Sequence, residues 1–320
     1  MEIPFLAKMK KAQKILLAGA GGGYDIANGV FLYLYLKAQG CEVYLANLSF
    51  AAVGNSDCKE LVAGCYEVLR TSKISEDVRH SDYFPEKHIL NWLYEVHNET
   101  PVMYTFSNQI GVIPLKNAYQ AIVEKYEIDT VVLVDGGTDS LMFGDESGVA
   151  TIVEDACSIL AATEAKVPDV YLMSIGFGVE NFHKLNHYAC LENISTLTKL
   201  DAFLGCLSLT KNMKEGQEFL ALTDYLNNHL NHQSIVVNSI ANAMRGEYGD
   251  FHHSKRTKNS EQYINPLMPI CWFFEARAIA QKIVFRERAL DTYTMQGVVQ
   301  AYRLYYATHT LRPDMKIPLI

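Results

Sequence analysis

The run GAGGGYDIANG, from Gly19 to Gly29, constrains this chain more than any other stretch. It follows the apolar residues Ile15, Leu16, Leu17 and Ala18 and leads into Val30-Phe31-Leu32-Tyr33-Leu34. That order reads as a strand, a glycine turn and the start of a helix. Such a turn presents bare backbone N–H groups at a helix N-terminus, where the dipole favours an anion. Gly19, Gly21, Gly22 and Gly23 are therefore candidate ligand-binding positions in a phosphate or nucleotide cradle. The match to the dinucleotide fingerprint GxGxxG is incomplete, because Tyr24 stands where the third glycine packs helix against strand. The second strand ends at Asn47 and lacks the acid that holds an adenosine ribose, which disfavours a nicotinamide-linked oxidoreductase. Asp25 would repel a bound pyrophosphate unless a cation or hydroxyl-bearing group intervened. The same pattern also fits a tight turn in which Asp25 caps the next helix.

Short apolar runs recur along the chain at Ile15–Ala20, Glu42–Ala46, Val102–Phe106, Thr130–Val134, Val170–Ile175, Phe203–Leu207 and Ser234–Val237. Continuous runs of this kind suit parallel strands covered on both faces. Between them lie helical stripes such as Leu115, Ala118, Tyr119, Ile122 and Tyr126, and Val153, Ala156, Cys157, Leu160 and Ala161. A further stripe, Met295, Val298, Val299, Tyr302 and Tyr306, predicts a closing terminal helix. The expected architecture is a doubly wound α/β fold with a mostly parallel sheet, built as one domain over residues 1–320. Residues 50–100 read as a helical insertion after the second strand, with one helix over Cys58–Leu69 and another opened by Pro85. That insertion suits a lid, an oligomer contact or scaffold. Arg245–Gln262 reads as a mobile loop.

In a parallel sheet of this type, ligands bind beyond the carboxyl ends of the strands, where strand order reverses. The residues that follow each strand are therefore the candidate site. The densest is DGGTDSLMFGDE, Asp135 to Glu146. Its carboxylates and hydroxyls suit a hard cation such as Mg²⁺ or Mn²⁺, or acid–base work on a polar substrate. Asp135 and Asp139 are the candidate catalytic and metal-binding residues, with Gly136, Gly137 and Thr138 beside them. Asp145 and Glu146 fit a solvated turn equally well. Thr151 and Glu154 have capping-box spacing, and Asp155 reads as an acid at the positive end of the same helix. Asn108 and Asn181 follow other strands and would orient a substrate. His183 and His187 are spaced to share a helix face, a weak zinc signal without a partner cysteine. No Walker motif, GxSxG elbow or nucleophile with an assigned base is present in the sequence.

The chain carries 36 acidic against 28 basic residues and no long basic run, which argues against a dedicated nucleic-acid surface. Small molecules are the expected ligands, with a homo-oligomer as the other expected association. Seven scattered cysteines with no CxxC pair suit buried thiols in a reducing compartment, so a cytoplasmic location is expected. No apolar run approaches the roughly 20 residues of a membrane span.

With both loops quoted, the chain resembles the domain-of-unknown-function family 1152, mainly archaeal and bacterial proteins. In that family an opening strand runs into a GAGGG-type turn with an Asp shortly after, and a later strand into a DGGTDSLMRGDE-type loop. The resemblance covers most of the chain and implies a Rossmann-like three-layer sandwich. Phe143 stands where many relatives carry a basic residue, which removes one phosphate contact. Over a shorter run, the second loop is similar to GDGGNEIGMG of metal-dependent glutamate cyclases, in which Asp135 would match the first acid. The expectation is a metal-assisted hydrolase or lyase acting on a polar nucleotide- or sugar-containing substrate. A nucleotide-binding sensor without turnover is the alternative.

Overall fold

Residues Thr130–Gly136 are buried without exception, as a strand covered on both faces must be. The computed structural model describes residues 2–253 and 261–317. Helix α1 (Pro4–Met9) precedes strand β1 (Lys14–Gly19), helix α2 (Val30–Ala38) and strand β2 (Glu42–Ser49). Strands β3 (Lys59–Val62) and β4 (Cys65–Val68) form a hairpin before α3 (Pro85–His97) and β5 (Met103–Ser107). Alternation resumes with α4 (Val112–Tyr126), β6 (Thr130–Gly136), α5 (Ile152–Glu164) and β7 (Asp169–Ile175). Next come α6 (His187–Lys199), β8 (Phe203–Ser208), α7 (Lys214–His229) and α8 (Ile235–Arg245). The short strands β9 (Gly249–Asp250) and β10 (Tyr263–Ile264) lead to β11 (Ile270–Glu275). Helices α9 (Ala276–Lys282), α10 (Arg286–Ala289) and α11 (Met295–Thr308) follow.

Among the described residues, the main sheet has nine strands in the order β3-β4-β5-β2-β1-β6-β7-β11-β8. Its centre, β5-β2-β1-β6-β7, is parallel. Antiparallel strands extend both edges, β4 and β3 on one side and β11 and β8 on the other. One face is covered by a core that includes Leu115, Ile122, Leu160 and Val298, and the other by a core that includes Phe31, Trp92, Phe219 and Ile240. The fold is thus the doubly wound α/β sandwich that the apolar runs predict. From β1 the chain moves outward to β2 and β5, then returns to β6 on the opposite side of β1. Strand order therefore reverses between β1 and β6, the place where such sheets bind ligands.

Three expectations need correction. Cys58–Leu69 is largely a β-hairpin and not a helix: Gly64 takes φ 78 at its turn, and β4 pairs with β5, so sheet hydrogen bonding at the edge overrides the helical period. Ser234–Val237 is the start of α8, where the Ser234 side chain caps the helix by accepting from Val237 N at 3.2 Å. The aromatic strand β11, Cys-Trp-Phe-Phe at its centre, lay outside the expected strands and separates β7 from β8. Part of the expected mobile loop, residues 254–260, lies outside the described residues, and its described flanks pair as the ribbon β9–β10. Among the described residues no helix is long and apolar enough to cross a membrane.

Candidate functional site

The reversal point gathers buried acids from several elements. Asp25 opens a short 3₁₀ turn, Asp25–Gly29, after β1. Asp135 sits near the end of β6, and Asp155 lies in the first turn of α5. One carboxylate oxygen from each of these three lies within 4.8 Å of the other two, and all three side chains are buried. Asp139 and Glu180, both buried, belong to neighbouring 3₁₀ turns after β6 and β7.

The glycines explain how so much charge packs together. A Cβ on Gly21 would lie 2.5 Å from Asp155 Oδ2 and 2.9 Å from Asp25 Oδ2. On Gly137 it would meet Glu180 Oε1 at 2.4 Å, and on Gly136 the Asn28 amide nitrogen at 2.2 Å. The bare Cα atoms make room for acid and amide side chains. The backbone amides are also engaged: Gly21 N donates to Asp25 Oδ2 at 2.6 Å and Gly136 N to Asp25 Oδ1 at 3.2 Å. Asp25 thus occupies part of the cradle that the sequence offered to a phosphate. A Cβ on Gly19 would meet Asn47 Oδ1 at 2.0 Å, so this glycine serves the tight strand-to-turn contact.

Burial raises the Asp25 carboxyl from 3.8 to about 8, with the Asp139 charge adding to the effect and amides of the glycine turn opposing it. Asp135, Asp155 and Glu180 are each pushed well up, first by burial and then by the neighbouring carboxylates. Ser140 partly offsets this at Asp135, where its hydroxyl donates to Oδ2. Thr138 donates to Glu180 from both its backbone N and its hydroxyl, at 2.8 and 3.1 Å. Two unit charges 4 Å apart repel by about 4 kcal/mol at an effective dielectric of about 20. Such a group is stable only with protons retained or with a cation among the oxygens.

A cleft of about 520 Å³ opens over Asp25 and Asn28, with Gly22 and Gly23 on one side. Phe50, Tyr24 and Tyr83 supply aromatic walls, and His183 lines it as well. Asn28 is fully buried, and neither atom of its amide has a hydrogen-bond partner among the described residues. Asp155 Oδ1 is likewise unpartnered. Leaving a buried polar group unsatisfied costs roughly 1–3 kcal/mol, which a ligand reaching it would recover.

The structure brings together Gly21, Asp25, Asp135, Gly136, Gly137, Thr138 and Asp139, while Gly22 and Gly23 face the cleft. Asp139 divides its role, since its Oδ2 accepts from Thr151 N at 3.0 Å and Thr151 Oγ1 at 2.6 Å at the entry to α5. Thr151 makes no capping bond of its own, so the expected capping box is absent. Asn108, bonded to the Gln109 side chain, and the exposed Asn181 lie outside the cleft lining. His183 and His187 do not share a helix: Lys184, at φ 58, separates them, and His187 packs on Phe177 at 5.4 Å. Asp155 and Asn28 are site residues that the sequence does not single out, and Glu180, which the sequence places only beside the His183 and His187 pair, joins the acidic group instead. No local signal singles out Asp155, because an acid in the first turn of a helix is an ordinary complement to the dipole.

A family model described as a protein of unknown function, DUF1152, matches residues 66–307. The chain belongs to this family. The matched span holds Asp135, Asp139, Asp155 and Glu180, whereas the glycine turn and Asp25 precede it. No curated protein and no solved structure matches the chain.

Proposed function

We propose that this DUF1152 chain is an enzyme that holds Mg²⁺ or Mn²⁺ on Asp25, Asp135 and Asp155 and acts on a small polar substrate by metal-assisted hydrolysis or elimination. The observation that carries this reading is the convergence of three buried carboxylates within 4.8 Å at the reversal point of the sheet. An oxygen-only donor set of that charge suits a hard cation. The aromatic walls of the cleft suit a sugar or base ring, and an anionic group of the substrate would reach the ion past the unpartnered Asn28 amide. Glu180, whose carboxyl is pushed well up by burial and then by the Asp139 charge, is the group able to hold and pass a proton. The amides of Gly21 and Gly136 already serve Asp25, and the Asn47 side chain donates to Gly23 O at 2.9 Å and Glu86 Oε1 at 2.8 Å. Both features favour a cation-bridged contact over a dinucleotide laid directly on the turn.

Calorimetric titration with Mg²⁺ and Mn²⁺ tests the ion site. Asp135→Asn should weaken binding at least about tenfold, in line with the loss of one charged ligand; unchanged affinity would sink the proposal. Screening nucleotides and sugar phosphates with Mn²⁺, with products read by mass spectrometry, tests turnover. Stabilisation by a nucleotide that is indifferent to metal and yields no product would instead support a sensor.

A further inference from the structure

The mouth of the same cleft carries a second group of donor atoms with different chemistry. His80 and Asp82 come from the segment between β4 and α3, and His232 from the turn between α7 and α8. One ligand atom from each lies within 4.8 Å of the other two. His232 Nε2 is 3.8 Å from Asp82 Oδ2, and the rings of His80 and His232 meet edge to face with centroids 5.6 Å apart. Both imidazoles line the cleft, His80 from a backbone in the left-handed region at φ 60.

We infer that His80, Asp82 and His232 form a second metal site, for a borderline first-row transition ion of which Zn²⁺ is the natural probe. Imidazole nitrogens favour such ions, whereas the all-oxygen group below favours Mg²⁺ or Mn²⁺. Tetrahedral bonds of about 2.0–2.2 Å place ligand atoms roughly 3.3–3.6 Å apart. The contraction required is therefore small, and the exposed side chains of His80 and Asp82 can supply it by rotamer changes. Three protein ligands leave one position open, the pattern of a site that takes a water or a ligand group. The ion would also tie the segment before α3 to the turn before α8 across the cleft, joining parts of the chain distant in sequence. This site stands independently of whether the carboxylates hold a cation.

The test is calorimetric titration of the untagged full-length protein with Zn²⁺, together with the visible spectrum of the Co²⁺-loaded form. One Zn²⁺ per chain is expected. The double variant H80A/H232A should lose affinity by more than the roughly 10–100-fold that removal of an outer-sphere partner brings. It should also lose the Co²⁺ absorption while Mg²⁺ binding persists. A control variant, H88A/H229A, removes another surface imidazole pair, with ring centroids 6.2 Å apart, and should bind Zn²⁺ as the parent does. Unchanged Zn²⁺ affinity in H80A/H232A, or an equal loss in the control, overturns the proposal. Loss of Zn²⁺ in Asp135→Asn alone would assign the ion to the carboxylates, refuting this site while leaving the carboxylate site intact.

Discussion

Gly21 has space for a hydrogen and little more. A methyl there would press on Asp155 Oδ2 at 2.5 Å and on Asp25 Oδ2 at 2.9 Å, two of the three proposed ion ligands. Gly21→Ala is expected to cost about 1–3 kcal/mol in overpacking and to weaken Mn²⁺ binding at least about tenfold. Gly54→Ala, where the nearest atom is Tyr66 Oη at 3.4 Å, should do neither. Urea denaturation and calorimetry on the pair check this, and equal behaviour of the two variants would refute the role given to Gly21. The sequence marks the glycines and Asp25 as unusual because they break an otherwise apolar strand-to-helix passage. It does not mark Asp155, since an acid in the first turn of a helix looks the same whether it meets solvent or a buried cluster.

The acidic loop is held at its far end by another element. Glu146 is fully buried and accepts from the backbone N of Phe143 and Gly144 at 2.9 and 2.7 Å. Its positive partner is Arg312, beyond α11, whose guanidinium also donates to Asp145, Glu192 and the side-chain Oδ1 of Asn193. Phe143 thus leaves the loop without a base of its own, and a residue distant in sequence supplies the charge. Removing one member of such a pair strands the other, so Arg312→Ala should destabilise the protein by about 2–3 kcal/mol, just under the roughly 3–5 kcal/mol of a fully buried pair because the arginine is partly exposed. Arg312→Lys, which keeps the charge and loses the fork, should fall between. Denaturation midpoints decide, and a loss below about 0.5 kcal/mol for Arg312→Ala would show that the contact is not structural. The hairpin β3–β4 makes a related point about elements: its residues fit a helix by apolar spacing, and only the free edge of β5 makes pairing the better solution.

At the scale of the molecule, the sheet reversal forces acids from β1, β6, β7 and α5 into one buried volume, and this has a pH signature. The Asp25 carboxyl rises from 3.8 to about 8 through burial and the Asp139 charge. A raised folded-state pKa contributes stability that is complete below the unfolded value and is lost as pH climbs through about 8. The chelated protein should therefore lose thermal stability progressively between about pH 4 and pH 8. Mg²⁺ or Mn²⁺ favours the ionised cluster, so millimolar cation should raise Tm more at about pH 8 than at about pH 6, with proton release on binding. Thermal scans with and without cation at both pH values check this. A larger shift at the lower pH would contradict the assignment.

The local order of residues was enough to determine the parallel α/β centre, its strand-turn-helix entry at Gly19–Gly29 and the placing of Asp135 at a strand end, because apolar runs and turn glycines act over a few neighbours. Which acids share the site, what the glycines make room for and which imidazoles face the cleft were decided by tertiary structure alone. Burial and charge repulsion depend on distances between segments that a linear chain does not specify, as Asp25 and Asp155, or His80 and His232, illustrate.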